Sequence, residues 1–203
     1  ASRRSYVEAI EPWEFAFTKA PLSMVRVYTD GAWMFETLIQ QETDAEKKKE
    51  YFDKLMNIYD QRLKNLEALN SFATPKTTST KGNIICRKAY DYYYFCPEMN
   101  NNVAYKMFKE GIDDMGPNTE GFVLFGFIEC SYNRFLQHKD NIDIRQDFIQ
   151  DYMNTNEICD RLLDQAKEYP SETIPADPAS EDSTKWVEQV ALSPEAQKIA
   201  DNY

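Results

Sequence analysis

Hydrophobic residues recur at helical spacing from the start of the chain. In the first segment Ala9, Trp13, Ala16 and Phe17 follow one another at steps of four, three and one residues. Steps of three and four bring side chains to one side of an α-helix, and a proline such as Pro21 ends a helix. The pattern therefore predicts an amphipathic helix over residues 5–20.

The same spacing returns in the second half of the chain. Ala104, Phe108, Gly111 and Ile112 repeat the steps of four, three and one, and the breaker Gly116-Pro117 follows them. The longest amphipathic stretch, residues 44–67, has its apolar face at Tyr51, Phe52, Leu55, Met56, Tyr59 and Leu63. The whole pattern predicts seven helices, over residues 5–20, 22–41, 44–67, 82–95, 101–115, 119–138 and 143–168.

Composition supports a helical fold. The 203 residues include only 6 Gly and 9 Pro, which are the residues that short strands and tight turns need. We therefore expect the all-α class. Glycine is costly inside a helix, so Gly31 and Gly126, each among bulky neighbours, are predicted to mark close helix crossings, and Ala89 is expected to do the same.

The order of these residues resembles the tetratricopeptide repeat (TPR), a family of helical hairpins. Phe122, Phe125 and Gly126 match its helix A, and the matches to its helix B are Tyr6, Ala9, Trp13, Ala16, Phe17 and Pro21. The order of Trp13, Pro21, residues 28–31 and residues 55–62 is also similar to exported TPR proteins of the Bacteroidetes cell envelope. The resemblance implies a right-handed superhelix of stacked antiparallel hairpins.

The resemblance also implies which side chains face the concave groove of such a superhelix. Gly31, Ala89 and Gly126 are taken as the small residue of each helix A. With this alignment the resemblance implies that the following side chains face the groove: Tyr28, Phe35, Glu36, Cys86, Tyr90, Tyr93, Tyr94, Glu120, Val123, Phe127 and Arg134. We predict a partner-binding groove formed by Tyr28, Phe35, Glu36, Tyr90, Tyr93, Tyr94, Phe127 and Arg134. The alternative is that the aromatic run 90–95 simply packs against neighbouring helices.

Four regions follow from the pattern. Residues 1–69 form N-terminal helical hairpin repeats, residues 70–82 a polar loop or linker, and residues 83–170 C-terminal TPR-like repeats. Residues 171–203 are an acidic, proline-containing tail with seven acids and two lysines. We expect short helices over residues 183–191 and 194–203, docked as a cap on the last repeat.

Charge and motifs exclude several functions. A net charge of −11 argues against nucleic-acid binding, which needs a basic surface. The sequence lacks a stretch approaching the roughly 18 apolar residues of a membrane span, and it lacks the spacing of a metal site or a cofactor motif. Cys86, Cys96, Cys130 and Cys159 are expected to be buried thiols, with a disulfide between Cys86 and Cys96 as the alternative.

Candidates for catalysis are few. His138 stands at a predicted helix end, where a helix-capping role is expected. Asp113 and Asp114 are adjacent and diverge on a helix, while Asp140, Asn141 and Asp143 are predicted to cap the next helix rather than to bind calcium. We therefore expect no enzymatic activity, metal or cofactor.

The predicted function is a non-catalytic scaffold that binds a protein or peptide partner. The alternatives are a carbohydrate- or peptide-binding component of a bacterial cell envelope and, more remotely, a hydrolase. We expect a periplasmic or envelope location, with a cytoplasmic one as the alternative. The chain opens with Ala1 and without a leader, as a processed chain or a fragment would. Its first helix reads as a helix B without its helix A, so we expect a partner, a second copy or the tail to cover that helix.

Overall fold

The structure, a computed structural model, describes residues 3–73, 78–167, 172–175 and 186–191. These residues form eight α-helices, one 3-10 turn and one pair of short strands. In chain order they are α1 Arg3–Lys19, α2 Arg26–Gln41, α3 Ala45–Lys64, α4 Leu66–Ser71, α5 Lys81–Phe95, α6 Asn101–Met115, the 3-10 turn Gly116–Asn118, α7 Gly121–Gln137, α8 Ile142–Lys167, β1 Glu172–Pro175 and β2 Trp186–Ala191.

The predicted helical class is confirmed, and each of the seven helices predicted before residue 170 has a counterpart within a few residues of its expected ends. Two boundaries differ. The α2 helix begins only at Arg26, because residues 21–25 form a turn after Pro21. The predicted helix 44–67 is broken at Asn65, where the chain turns before the short α4.

The tail departs from its prediction. The prediction of a short helix over residues 183–191 is wrong, because residues 186–191 form β2, which pairs with β1 in antiparallel fashion. The β-branched Val187 and Val190 favour the extended backbone of a strand. The expected helix over residues 194–203 lies outside the described residues.

Side-chain caps fix where three of the helices begin. The carboxylate of Asp44 accepts a hydrogen bond from the backbone N–H of Lys47 at 2.9 Å, and the hydroxyl of Thr80 accepts one from that of Asn83 at 3.1 Å. The amide oxygen of Asn100 accepts from Asn102 N–H at 2.9 Å. These bonds satisfy N–H groups that the first turn of a helix leaves without a partner, and they start α3, α5 and α6.

The helices pack mainly on their neighbours along the chain. The contacts run from α1 to α2, α2 to α3, α3 to α5, α5 to α6, α6 to α7 and α7 to α8. The α5 helix also contacts α2 and α7. It therefore joins the first three helices to the last three, and α2, α5 and α7 share one side of the molecule.

Two hydrophobic cores hold this arrangement together. The first is built around Tyr28, Phe35, Leu38 and Leu55, and the second around Ala89, Ala104, Phe108 and Val123, all fully buried side chains. Tyr92 contacts both cores. Burial of each large apolar side chain contributes roughly 1.5–3 kcal/mol to the free energy of unfolding.

The predicted close crossings are confirmed at two glycines. A Cβ atom on Gly31 would lie 2.5 Å from Nε1 of Trp13, whose indole N–H donates to the carbonyl of Val27 at 2.7 Å. A Cβ atom on Gly126 would lie 3.0 Å from the ring of Tyr90. Glycine is thus needed at these points because an aromatic ring occupies the space of a side chain.

None of the four cysteines forms a disulfide bond. Cys86 and Cys130 are buried, whereas Cys96 and Cys159 are half-buried. Burial raises the pKa of Cys86 and of Cys130 to about 12, so both remain protonated near neutral pH. None of the described helices combines the length and the apolar character needed to cross a membrane.

Candidate functional site

Half of the eight predicted groove residues belong to the cores. Tyr28 and Phe35 are buried in the first core, and Tyr93 and Phe127 in the second. The hydroxyl of Tyr28 donates to the carbonyl of Pro21 and accepts from Asn65 Nδ2, both at 2.9 Å. In the structure these four are core residues rather than contact residues, because the helix faces that carry them are covered by neighbouring helices.

The other four predicted residues lie in two places. Glu36 and Tyr90 line one cavity, and the ring of Tyr94 packs against that of Tyr90 at an angle of 49°, with ring centroids 4.5 Å apart. Arg134 lies elsewhere: its Nη1 donates to Asp147 at 2.8 Å and its guanidinium lies 4.3 Å from the centroid of the Tyr105 ring. The structure therefore brings together three of the predicted residues and separates Arg134 from them.

Two open cavities adjoin at Glu36, Tyr59 and Arg87, and together we call them the cleft. One has a volume of about 450 Å³ and the other of about 280 Å³. Cavities of this order are the usual size for small-ligand sites. Besides the three shared residues, the larger is lined by Thr29, Ala32, Trp33, Arg62 and Asn83, and the smaller by Tyr90, Asp91 and Phe122.

An acid pair lies in the cleft. Asp91 is buried, and its Oδ2 accepts a hydrogen bond of 2.6 Å from the hydroxyl of Tyr59. Its carboxyl group is also hydrogen-bonded to that of Glu36. Two carboxyl groups can bond in this way only if one carries a proton, because a carboxylate is an acceptor alone.

Burial and mutual repulsion set the charge of this pair. Burial raises the pKa of Asp91 well above its ordinary value, and the neighbouring charge of Glu36 raises it further. Burial also raises the pKa of Glu36, while its hydrogen bond to Asp91 and the charge of Arg87 lower it. The two carboxyl groups therefore share a proton, which belongs to the pair.

Two arginines complete the polar part of the cleft. The Nη2 atom of Arg87 lies 2.7 and 3.0 Å from the two carboxylate oxygens of Glu120, and its guanidinium lies 5.1 Å from the centroid of the Phe122 ring. Arg62 is buried, and its Nη2 donates to the hydroxyl of Ser79 at 2.8 Å. Burial lowers the pKa of Arg62, the nearby Tyr59 raises it, and the charge of Arg87 lowers it.

Aromatic side chains border the cleft, and we call Trp33, Tyr90, Tyr94 and Phe122 the aromatic rim. Trp33 is 59% exposed and Tyr94 39%. Tyr90 links the rim, with ring centroids 4.5 Å from Tyr94 and 4.9 Å from Phe122. The hydroxyl of Tyr94 donates to Glu129 at 2.6 Å, which fixes its ring on the surface.

Tyr59, Arg62, Arg87 and Asp91 were not predicted as site residues. Two of them carry a signal that sequence analysis can use. Asp91 is the one charged residue within the aromatic run 90–95, and Arg62 follows Leu55 and Tyr59 at helical spacing on the apolar face of α3. A charge at an apolar position indicates a buried polar group that needs a partner.

The other candidates for chemistry have structural contacts. His138 is the C-cap of α7, as predicted, and the amide oxygen of Asn141 accepts from Ile144 N–H at 3.1 Å, the predicted cap of α8. Asp114 accepts from Gly82 N–H at 2.7 Å, and Asp113 lies 3.9 Å from Lys109. Within the described ranges, His, Cys, Asp and Glu side chains do not cluster as metal ligands do.

Taken together, the cleft offers hydrogen-bond donors, a shared proton and exposed rings. Such a surface binds polar groups of a ligand while the rings supply contact area. Compared with known proteins, the chain matches no family model, no curated protein and no solved structure.

Proposed function

We propose that this chain is a non-catalytic, TPR-like scaffold that binds a protein or peptide partner on the side formed by α2, α5 and α7. The observation that carries the proposal is the aromatic rim beside the cleft. Rigid Trp and Tyr side chains are the commonest anchors of protein interfaces, because they bury a large area at a small entropic cost. The packing of each helix on its neighbour along the chain is in keeping with stacked hairpins and with the resemblance to TPR proteins.

We propose a structural role for the acid pair. The carboxyl groups of Glu36 and Asp91 are bonded to each other, and Asp91 is bonded to Tyr59 as well. These bonds join α2, α3 and α5 beneath the aromatic rim. A hydrolase, which would use the pair as acid and base, is the remote alternative.

Selection of peptides tests the proposal. A library of random displayed peptides is selected on the full chain, and enriched peptides are measured by fluorescence anisotropy. We expect Trp33→Ala and Tyr94→Ala each to weaken binding by about tenfold or more, as the loss of an interface anchor does. Tyr152→Ala is the matched control, because Tyr152 is an exposed aromatic residue on α8, outside the rim.

Two results would overturn the proposal. One is that no peptide is enriched. The other is that folded Trp33→Ala and Tyr94→Ala variants, checked by circular dichroism, bind the enriched peptides as tightly as the unmodified chain does.

A carbohydrate-binding role in a cell envelope is the second candidate. The exposed ring of Trp33 stands beside the side chains of Asn83 and Arg87 in the larger cavity. A sugar can stack on such a ring while planar polar groups bond its hydroxyls. Binding on a glycan array that Trp33→Ala abolishes, together with a failed peptide selection, would favour this candidate.

We further propose a periplasmic or envelope location, which is supported by the resemblance to exported TPR proteins. Fractionation of cells that express the natural gene tests it.

Self-association through α1 is proposed on the exposed Val7 and Phe15 of that helix. Light scattering over a range of concentrations, with Phe15→Ser for comparison, tests self-association.

A further inference from the structure

Arg62 differs from the other arginines whose side chains the structure describes. It is 7% exposed, so its guanidinium is largely removed from water, yet it lines the larger cavity of the cleft. Its one hydrogen bond among the described residues goes to the neutral hydroxyl of Ser79. A guanidinium has five N–H donors, and within the described part of the chain Arg62 uses one of its nitrogens, on Ser79.

The comparison with other arginines makes the point sharper. Arg87 is paired with Glu120, Arg134 with Asp147 and the exposed Arg26 with Asp30. Near neutral pH the charge that acts on Arg62 is the positive one of Arg87, because burial raises the pKa of Tyr59 well above its ordinary value and keeps that side chain protonated. Glu36 lines the same cavity, but no ion pair joins it to Arg62 among the described residues. Since a buried cation is costly unless an anion balances it, Arg62 would gain from an anion in the cavity.

The position of Arg62 is fixed in advance. Asn70 donates from Nδ2 to the carbonyl of Ser79 at 2.8 Å, and its Oδ1 accepts from the backbone N–H of Ser79 at 3.1 Å. These two bonds hold the hydroxyl of Ser79 where Nη2 of Arg62 reaches it. A group that is held in place before the ligand arrives loses little entropy on binding.

From this geometry we infer that Arg62 binds an oxyanion in the larger cavity of the cleft, on the side of the exposed Thr29, which lies two helical turns along α2 from Glu36. The planar fork of an arginine matches the two oxygens of a carboxylate, phosphate or sulfate group. The oxyanion is either a free small anion or an acidic side chain of the bound partner. The inference deepens the proposed function, and it rests on that function only where the anion belongs to a partner.

Titration of the full chain with small anions tests the inference. Inorganic phosphate, sulfate and acetate are each titrated by calorimetry at constant ionic strength, with chloride as the balancing salt. We expect saturable binding of one anion per chain. Arg62→Gln should weaken it by about tenfold or more, and Arg62→Lys by less, because lysine keeps the charge but lacks the fork. Arg26→Gln, an exposed arginine outside the cleft, is the matched control.

A second pair of variants keeps the test decisive if Arg62→Gln fails to fold. Thr29→Glu places a carboxylate at the wall of the cavity, where we expect it to pair with Arg62 and to abolish binding of the free anion. Thr29→Gln has the same shape without the charge and should bind the anion as before. Since Thr29 is exposed, neither change disturbs a core.

Two peptides distinguish the sources of the oxyanion. A blocked peptide with a single Glu is compared with its Gln counterpart. Tighter binding of the Glu peptide than of acetate, lost in Arg62→Gln, assigns the site to a partner's side chain, and saturable binding of phosphate or sulfate alone assigns it to a free anion. The inference would be overturned if none of the probes bound saturably. It would also be overturned if Arg62→Gln and Thr29→Glu bound the anion as tightly as the unmodified chain does. Peptides that still bind the aromatic rim would then leave the proposed function standing.

Discussion

Asp91 and Asp151 are both buried aspartates, with 5% and 2% of their surface exposed, and they are held by opposite kinds of neighbour. Asp91, between α2, α3 and α5, faces the carboxyl group of Glu36. Asp151 of α8 accepts from Ser131 Oγ at 2.7 Å, and its Oδ1 lies 3.5 Å from the ammonium of Lys109.

The two sites show that burial alone does not decide the state of an acid. Asp151 accepts a hydrogen bond from Ser131 and lies beside the ammonium of Lys109. Asp91 meets a second acid, and a shared proton bonds the two side chains. The first arrangement ties α6 to α8 through charge and α7 to α8 through a hydrogen bond. The second ties α2 to α5 through a proton that a rise in pH removes.

Loss of the carboxylate at the charged site should have the largest effect. Asp151→Ala leaves the hydroxyl of Ser131 without its acceptor and leaves the ammonium of Lys109 with only the exposed Asp113 among the described residues. We expect it to lower the free energy of unfolding by about 3 kcal/mol, measured by urea denaturation. Asp113→Ala removes the exposed partner of the same lysine and should change stability by less than about 0.5 kcal/mol. Equal effects of the two changes would show that Asp151 is not held as described.

The acid pair predicts that the free energy of unfolding falls as the pH rises, whereas an ordinary salt-bridged carboxylate gives the opposite dependence. Because the pKa values of Asp91 and Glu36 are raised in the folded chain, their contribution to stability is complete below the unfolded pKa values, near 4. It is lost as the pH rises through the folded values, at up to about 1.4 kcal/mol per pH unit for one proton.

Asp91→Asn should remove most of this dependence. An Asn side chain can donate to Glu36 and accept from Tyr59 without a titrating proton. We therefore expect the unfolding free energy of this variant to change less between pH 5 and pH 8.5 than that of the unmodified chain, and to exceed it at the upper end. Asp60→Asn, at an exposed acid of α3, serves as the control. Parallel pH profiles for the unmodified chain and Asp91→Asn would contradict the shared proton.

The smallest expected effect tests the third member of the group. Tyr59→Phe removes the hydrogen bond to Asp91 and should lower the free energy of unfolding by about 1 kcal/mol. That bond lowers the pKa of Asp91, so its loss should raise this pKa further and extend the loss of stability to higher pH. Urea denaturation at pH 5 and pH 8.5 measures both changes, with Tyr51→Phe as the control. An unchanged pH profile would show that the hydroxyl does not act on the acid pair.

Much of the secondary structure could be predicted from the sequence, because it depends on local features. The spacing of Ala9, Trp13 and Phe17, the caps at Thr80 and Asn100, and the breaks at Pro21 and Gly116 act within a few residues along the chain. The secondary structure of the tail was harder to predict. The pairing of β1 with β2 joins residues that are more than ten positions apart, and a helical pattern within β2 gives no sign of it.

The candidate site was predicted only in part. Glu36, Tyr90 and Tyr94, which the resemblance turned toward a groove, lie close together in the structure, and their role in binding is a proposal. Tyr28 and Phe35 were expected there as well and are core residues instead. A helix wheel gives the angle between two side chains but not the angle at which the next helix packs, so it cannot say which of two adjacent positions is covered.

What the sequence by itself determined is the set of helices, their approximate ends and the small residues at their crossings. These depend on backbone geometry and on spacing within one element. Only the tertiary structure decided that Asp91 meets Glu36, that Arg87 meets Glu120 and that Arg62 meets no acid within the described chain. The reason is physical: the energy of a buried charge depends on distances to groups on other helices, and those distances are fixed only when the cores pack.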